Sequence, residues 1–511
     1  MLDSKPQLWA MIEARAALSP HKVLVVDDND RSLTFGDYRN QAERVAAHLH
    51  TLLVHAETRV AWQLPTWIES MVLVGALARL GVTQIPMLPI YREREVGFIL
   101  RQTEPHVFIV PGVWRGFDYR SLADQVAAEL PNPCVVITAD RSLPEADPAH
   151  LPPPPPTVDD PTRWVFYTSG TTGDPKGALH SDAAILAGAA GVIDSYAITE
   201  HDRYPIVFPF THVGGIGMLF IQLATGCGAI AVEQFDAERT PPILAKHGLT
   251  IAAGGTPLAL VYLQQQRKHP DTPLFPEVRF AMTGAATTPP GLHAELRREL
   301  GGTGALACYG LTEAPFLTVN SSTDTDEQRS QTVGRPIGGA VLRVVDADGQ
   351  LCRPGESGEV RAKGPQICRG YLDSTRNADA FDHDGWFRTG DLGRLDENGF
   401  LTITGRLKDI IIRKGENIAA KEIEDILYEH PAIADIAVIG LPDDLLGERC
   451  CAVVVLRDGA TLGLPEIVSY CRDAGLAMQK IPEQLELVPE LPRNASGKVL
   501  KFKLQESFAA N

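Results

Sequence analysis

The sequence is short of cysteine, of lysine and of positive charge. Eight cysteines are spread over 511 residues, at 134, 227, 308, 352, 368, 450, 451 and 471. None forms a Cys-x-x-Cys pair and no group has zinc-site spacing, which argues against a disulfide scaffold or a structural zinc domain. Cys450 and Cys451 open an apolar run, Cys-Cys-Ala-Val-Val-Val-Leu, that reads as a buried strand with reduced core thiols. Basic residues number 47 against 64 acidic ones, a net charge of −17. Without a basic repeat, binding of nucleic acid through overall charge is excluded and no nucleic-acid partner is expected. A protein of this charge that handles phosphates must do so with local chemistry. The first residues, Met-Leu-Asp-Ser-Lys-Pro-Gln, lack a signal peptide's apolar core, so a cytoplasmic location is expected.

One stretch bears on membrane insertion. Tyr204 to Val232 is 29 residues without Asp, Glu, Lys or Arg, long enough to span a bilayer. Pro205, Pro209, His212 and the glycines at 214, 215, 217, 226 and 228 interrupt it. No membrane span is expected there; a turn, a short helix and a strand within a large core are.

What is present points to a folded chain of more than one domain: 44% of residues are hydrophobic, ample to bury a core. Apolar residues at helical spacing (Ala42, Val45, Ala46, Leu49, Leu52) predict a helix over residues 35–54. A strand over 59–63, a helix over 69–80 and a strand over 83–87 follow, then strands at 107–110 and 134–137. This alternation predicts doubly wound α/β layers. Leu151-Pro-Pro-Pro-Pro-Pro156 reads as a rigid, extended linker into a strand at 163–167. From about 340, short strands with Asp-Gly and Asn-Gly turns (Asp348-Gly349, Asp384-Gly385, Asn398-Gly399) predict a small antiparallel β-barrel or sandwich. The last hundred residues read strand-helix-strand-strand-helix-strand, a small α+β domain. No internal repeat is seen.

Lysines are rare, 13 against 34 arginines, yet Lys176, Lys414 and Lys498 each adjoin a glycine, and Lys408 follows Gly405 by three. The strongest local signal is Tyr167-Thr-Ser-Gly-Thr-Thr-Gly-Asp-Pro-Lys-Gly177, directly after a strand. Three glycines let the backbone approach a ligand, Thr168, Ser169, Thr171 and Thr172 add hydroxyls, and Lys176 adds charge. That combination suits an oligophosphate. It is not a Walker loop, because Pro175 and Gly177 stand where Gly and Ser/Thr would flank the lysine.

This segment resembles the phosphate loop of the adenylate-forming superfamily, which includes acyl- and aryl-CoA synthetases, peptide-synthetase adenylation domains and firefly-type luciferases. Further segments resemble that superfamily in its order: Pro209-Phe-Thr-His212, Thr283-Gly-Ala-Ala286, Tyr309-Gly-Leu-Thr-Glu313, Trp386-Phe-Arg-Thr-Gly-Asp391, Gly405-Arg-Leu-Lys-Asp409, Lys414-Gly-Glu-Asn-Ile418 with Glu422-Ile-Glu424, and Pro492-Arg-Asn-Ala-Ser-Gly-Lys498. The resemblance covers roughly residues 30–505. It implies an N-terminal adenylation domain over 1–404, a hinge over 405–408 and a mobile C-terminal α+β domain over 409–511.

The resemblance implies chemistry in two steps. A carboxylate attacks the α-phosphate of ATP, pyrophosphate leaves, and the acyl group of the acyl-AMP passes to a thiol. Thr168, Ser169, Gly170, Thr171, Thr172, Gly173 and Lys176 would hold the β- and γ-phosphates. Gly284, Ala285, Ala286, Tyr309, Gly310 and Thr312 would surround the nucleotide, with Asp391 and Arg406 at the ribose. Glu313, with Thr168, would bind Mg²⁺. Lys498 would bridge substrate carboxylate and α-phosphate as the main catalytic residue, with His212 as a second. Lys408 would be the hinge, and Lys414 and Gly415 would line the channel for coenzyme A.

The acyl pocket would be walled by His212, Val213, Gly214, Gly217, Gly284 and Leu311. Thr211 and His212 stand where domains for α-amino acids place an aspartate, so an uncharged hydrophobic acyl group is expected. The three glycines of this element leave room for a bulky or cyclic group. Pro86-Met-Leu-Pro-Ile-Tyr-Arg-Glu-Arg-Glu-Val96 resembles synthetases for medium-chain and alicyclic acids. The Thr283–Thr288 segment departs from the usual Gly-Gly-Ala-Pro-Leu, which bears on pocket shape. The function implied is an AMP-forming ligase that makes a carbon–sulfur bond between a hydrophobic acid and CoA, as in fatty-acid metabolism. Open alternatives are loading of a carrier protein, a luciferase-type monooxygenase and a non-catalytic nucleotide binder, with a homodimer open as the assembly.

Overall fold

Thr34 caps the helix Phe35–Thr51 by accepting the Asp37 N–H at 3.1 Å. The helix buries Tyr38, Ala42, Val45, Ala46 and Leu49, a one-face spacing that drives it against the helix Ile68–Leu80. The two come so close that a Cβ on Gly75 would sit 3.0 Å from both Tyr38 and Ala42. The computed structural model describes residues 7–156, 160–168, 175–284, 286, 288–289, 291–414, 416–443, 445–493 and 497–509.

Two α/β sheets form the body. In one, Arg203–Ile206, Gly228–Ala231 and Val23–Asp27 run parallel, and Ser32–Thr34 is antiparallel at the edge. The other has six strands in the order Lys176–His180, Trp164–Thr168, Thr83–Pro86, Arg59–Trp62, Val107–Val110, Val135–Thr138. It is parallel except for the pair that flanks the glycine-rich loop. Helices and apolar strands enclose a core that includes Trp62, Trp164 and Phe210. The uncharged stretch resolves into the strand Arg203–Ile206, the helix Val213–Thr225 and the strand Gly228–Ala231. Among the described residues no helix is long and apolar enough to cross a membrane.

The proline run does not separate domains. Arg79 donates to the Pro152 carbonyl at 2.6 Å, and Pro155 packs where Gly81, at φ +68°, leaves out a side chain. The segment is pinned along the six-stranded sheet and joins two parts of it.

A third sheet, Ile251–Ala252, Phe280–Gly284, Ala305–Leu311, Ala314–Val319 and Arg335–Pro336, carries the Glu313 turn between its third and fourth strands. The Asp-Gly-rich region forms an antiparallel meander, Val341–Val345, Gly358–Lys363, Phe387–Leu395 and Leu401–Arg406. Its order is linear, and among the described residues its first and last strands do not pair. The antiparallel subdomain expected for this segment takes in the edge of the third sheet: the Val333 N–H donates to the Leu401 carbonyl at 2.8 Å and the Leu401 N–H to the Gly334 carbonyl at 2.9 Å.

Residues beyond 409 build their own sheet from Ile410–Arg413, Glu416–Ala419, Ile433–Asp443, Gly447–Leu456 and Gln484–Leu487. The helices Ala420–Tyr428, Leu464–Asp473 and Lys501–Phe508 accompany it. Its apolar clusters draw only on residues 411–508. The expected strand-helix-strand-strand-helix-strand order is present, with one added N-terminal strand and a last helix. Cys450 and Cys451 lie buried in its long strand.

Candidate active site

Asp391 is buried in the strand Phe387–Leu395. Its Oδ1 pairs with Arg406 Nε at 2.7 Å, and its Oδ2 accepts from the Tyr309 hydroxyl at 2.7 Å. Asp391 and Arg406 face each other across adjacent strands. Each carboxylate oxygen can accept more than one hydrogen bond, so the group keeps capacity for a ligand's hydroxyls. Burial, then the Asp391 charge, pushes the Tyr309 hydroxyl well above its usual pKa, so it stays a donor.

Lys498 comes to this group from the C-terminal sheet's side of the molecule. It is half-buried. Burial above all, then Arg406 and Lys408, pull its pKa down to about 8, while Asp391 and Asp409 oppose the shift. Lys408 is lowered in turn by burial and by Arg406 and Lys176, against Asp409 and Asp391. Four cations from three separate motifs, Lys176, Arg406, Lys408 and Lys498, thus share one neighbourhood with Asp391. The loop's approach is visible at Gly497 (φ +80°), where a Cβ would lie 3.2 Å from Pro257 of the helix Thr256–Lys268. Two other cations of the tail are engaged elsewhere: Arg493 pairs with Asp435 and Lys501 with Glu424.

Thr168 and Lys176 end the two strands that flank the glycine-rich loop and stand in register across it. Ser169, Gly170, Thr171, Thr172 and Gly173 lie outside the described residues, as do Ala285 and Gly415. Lys176 Nζ sits 5.3 Å from the ring centroid of Tyr371. The Tyr371 hydroxyl donates to Glu313 Oε1 at 2.7 Å, and the Glu313 carbonyl accepts from the Cys368 N–H at 2.7 Å. His180 Nε2 meets the Thr312 carbonyl at 2.8 Å; burial lowers its pKa to about 4, so it is neutral and donates. Tyr371 and His180 fix the Glu313 turn against the lysine strand, and sequence reasoning missed both. The Arg369-Gly370-Tyr371 run, three residues before a Ser-Thr-Arg turn, offered no periodic signal.

Glu313 is the buried carboxylate suited to a cation here. Among the described residues no cluster of three or more His, Cys, Asp or Glu is found. One carboxylate without a protein cage fits Mg²⁺ that keeps mostly phosphate oxygens and water as ligands.

His212 is the N-cap of the helix Val213–Thr225: its Nδ1 accepts the Gly214 N–H at 3.1 Å. Burial lowers its pKa to about 4, so it is a neutral imidazole whose Nε2 carries the hydrogen. The glycines after it do not leave the room expected of them. A Cβ on Gly215 would lie 2.6 Å from the Phe210 carbonyl oxygen, and one on Gly217 would overlap the Phe316 ring. That space is filled by the protein's own backbone and ring. Gly284, at φ +138°, is required by the Cys308 carbonyl of the neighbouring strand. Gly310 and Leu311 lie at an irregularity of the strand pair that leads into the Glu313 turn. Val213 opens the helix capped by His212 and is buried, and Ala286 lies two residues past the strand Phe280–Gly284.

Lys414, exposed and at φ +50°, donates its N–H to the Leu446 carbonyl at 2.7 Å. It directly follows the strand Ile410–Arg413 of the C-terminal sheet.

Comparison with known proteins bears on this geometry. The AMP-binding enzyme family matches residues 12–372, and its C-terminal domain matches 422–498. The chain belongs to the AMP-binding enzyme family. It is an adenylate-forming enzyme of the acid–CoA ligase group. A medium-chain fatty-acid–CoA ligase of Escherichia coli is 31% identical, over 96% of this chain and 89% of that one. A methyl-dioxo-octahydroindenyl-propanoyl:CoA ligase of Rhodococcus jostii is 32% identical, over 96% and 97%. The group is wider than free CoA: a salicyl-AMP ligase/salicyl-S-ArCP synthetase of Mycobacterium tuberculosis is 33% identical, over 94% and 87%. Among solved structures, ATP-bound MatB from Rhodopseudomonas palustris superimposes with a TM-score of 0.89 at 28% identity, over 99% of both chains. A Bacillus subtilis o-succinylbenzoate CoA synthetase with ATP and magnesium gives 0.82 at 27%, over 98% and 99%.

Proposed function

We propose that this protein activates an uncharged, hydrophobic carboxylic acid (medium-chain, alicyclic or polycyclic) as acyl-AMP and transfers the acyl group to free CoA. The observation that carries this reading is the gathering of Lys176, Arg406, Lys408 and Lys498 around Asp391 in a chain whose net charge is −17. ATP and a carboxylate repel each other, and a local set of cations is the device that brings them together.

In this reading the ribose hydroxyls bind at Asp391, whose carboxylate is held in place by Tyr309 and Arg406. Lys176 and the loop after Thr168 take the β- and γ-phosphates. Mg²⁺ at Glu313 would neutralise phosphate charge. Lys498 places its ammonium between the acid's carboxylate and the α-phosphate, aligning attack and stabilising charge on the α-phosphoryl oxygens. His212, neutral and fixed by its capping bond, offers Nε2–H to the acid. The first step ends with pyrophosphate release.

For the second step, 1–404 and 409–511 act as two domains joined at 405–408. The separate apolar clusters beyond 410 support that division. Rotation at Lys408 withdraws Lys498 and brings Lys414 and Gly415 to the site, where the CoA thiol attacks the acyl carbonyl and AMP leaves. A cytoplasmic location goes with substrates held there, ATP and CoA.

Names of relatives at comparable identity support both a free-CoA and a carrier-protein acceptor. A panel of carboxylic acids, from short-chain to aromatic to polycyclic, screened for pyrophosphate release with and without CoA, tests the reading. Release with hydrophobic acids and a CoA thioester as product is expected. Release without thioester, even from supplied acyl-AMP and CoA, rejects CoA as the acceptor.

A further inference from the structure

Phe316 lies in the strand that follows Glu313, with its backbone in the left-handed region at φ +52°. That conformation is costly for a bulky residue, and inside a strand it is out of place. The side chain is nonetheless buried, 7% exposed. Three glycines from three elements make its position available. A Cβ on Gly217, in the helix after His212, would overlap the Phe316 ring. A Cβ on Gly188, in the helix Asp182–Tyr196, would lie 2.7 Å from the Pro315 carbonyl oxygen and 3.4 Å from Phe316 Cβ. A Cβ on Gly310 would lie 2.7 Å from the Phe316 nitrogen. One turn before Gly217, on the same helix face, Gly214 lies against His212 and the Phe208 ring. A single face of this helix thus runs from His212 at its capped end to Phe316 one turn further in.

We propose that Phe316 closes the inner end of the acyl pocket and so sets the length of acid that the protein accepts. The inference rests on the ligase reading above and on the His212 helix as a pocket wall. Phe316 belongs to the same hairpin as Glu313, so the residue that limits the acyl group is tied through two residues of backbone to the one assigned to the metal. If the ring is removed, the walls facing the space at Gly217 and Gly188 have no side chains of their own to fill it. The space stays open rather than collapsing. Apolar length added to an acid is then worth about fourfold in kcat/KM per methylene until the pocket ends.

The test compares the protein with Phe316→Ala, Phe316→Leu and the double variant Gly217→Ala/Phe316→Ala on straight-chain saturated acids of increasing length. Pyrophosphate release and CoA thioester formation give kcat/KM, and thermal melting reports folding. The unchanged protein should show a length beyond which kcat/KM drops. Phe316→Ala should move that limit to acids several methylenes longer, Phe316→Leu by fewer, and Gly217→Ala added to Phe316→Ala should bring it back. Should Phe316→Ala not fold, the leucine variant and the double variant carry the same comparison. A folded, active variant whose limit is unchanged overturns the inference and leaves the ligase reading intact. Absence of pyrophosphate release from the unchanged protein with every acid overturns the ligase reading, and the inference with it.

Discussion

Tyr309 and Asp391, 82 residues apart in the chain, are joined by a 2.7 Å hydrogen bond from the phenol hydroxyl to carboxylate Oδ2. It links the third sheet to the antiparallel meander and orients the carboxylate assigned to the ribose. Hydrogen bonds to charged groups contribute about 1.5–3 kcal/mol. Tyr309→Phe should therefore raise the KM for ATP by about ten- to a hundredfold with a smaller effect on kcat, measured by pyrophosphate exchange. An unchanged KM would separate this bond from nucleotide binding.

Glu313→Gln keeps the shape of the side chain and an oxygen for the Tyr371 hydroxyl, but loses the charge. The Mg²⁺ concentration for half-maximal adenylation should rise tenfold or more, about 1.4 kcal/mol, while ATP affinity without metal changes little. A magnesium titration of pyrophosphate release checks this. Loss of activity that no magnesium concentration restores, in a folded variant, would point to another role for Glu313.

The pH dependence follows from Lys498. Its pKa is lowered to about 8, first by burial, and the charged form is the catalytic one. Adenylation kcat/KM should hold below pH 8 and fall as pH rises through it, tenfold per unit. Bound ATP stabilises the ammonium, so the break in kcat should lie at higher pH than the break in kcat/KM. Lys498→Arg, which stays charged, should remove the break whatever activity remains. His212, lowered to about 4 by burial, should add no inflection near 6.5.

The fold's alternating layers were legible because burial imposes periodicity: Ala42, Val45, Ala46 and Leu49 mark one helix face, and all are buried. Asp391, Arg406 and Lys498 sit in contiguous motifs, which made them legible as candidates; their proximity is what the structure adds. Contacts made only by long-range packing were not. Tyr371 reaches Glu313 across 58 residues and His180 reaches Thr312 across 132, and neither carries a local pattern. Gly215 and Gly217 were legible as missing side chains, but a sequence does not say what enters the space; Phe210 and Phe316 do. The turns of the meander were legible too, whereas its junction with the third sheet, at Leu401 and Gly334, is a long-range pairing that turns do not encode.

Gly415→Leu would place a branched side chain in the channel assigned to CoA. Thioester formation should fall at least a hundredfold, about 2.7 kcal/mol, with pyrophosphate exchange unchanged. Parallel loss of exchange would place Gly415 in the first step or in folding.

The central claim is that Lys498 serves the first step alone. Lys498→Ala should be assayed in two half-reactions on one preparation: acyl-AMP formation from acid and ATP, and thioester formation from supplied acyl-AMP and CoA. The first should fall by several orders of magnitude and the second should stay near the level of the unchanged protein. Equal loss of both half-reactions, with folding intact, would contradict it.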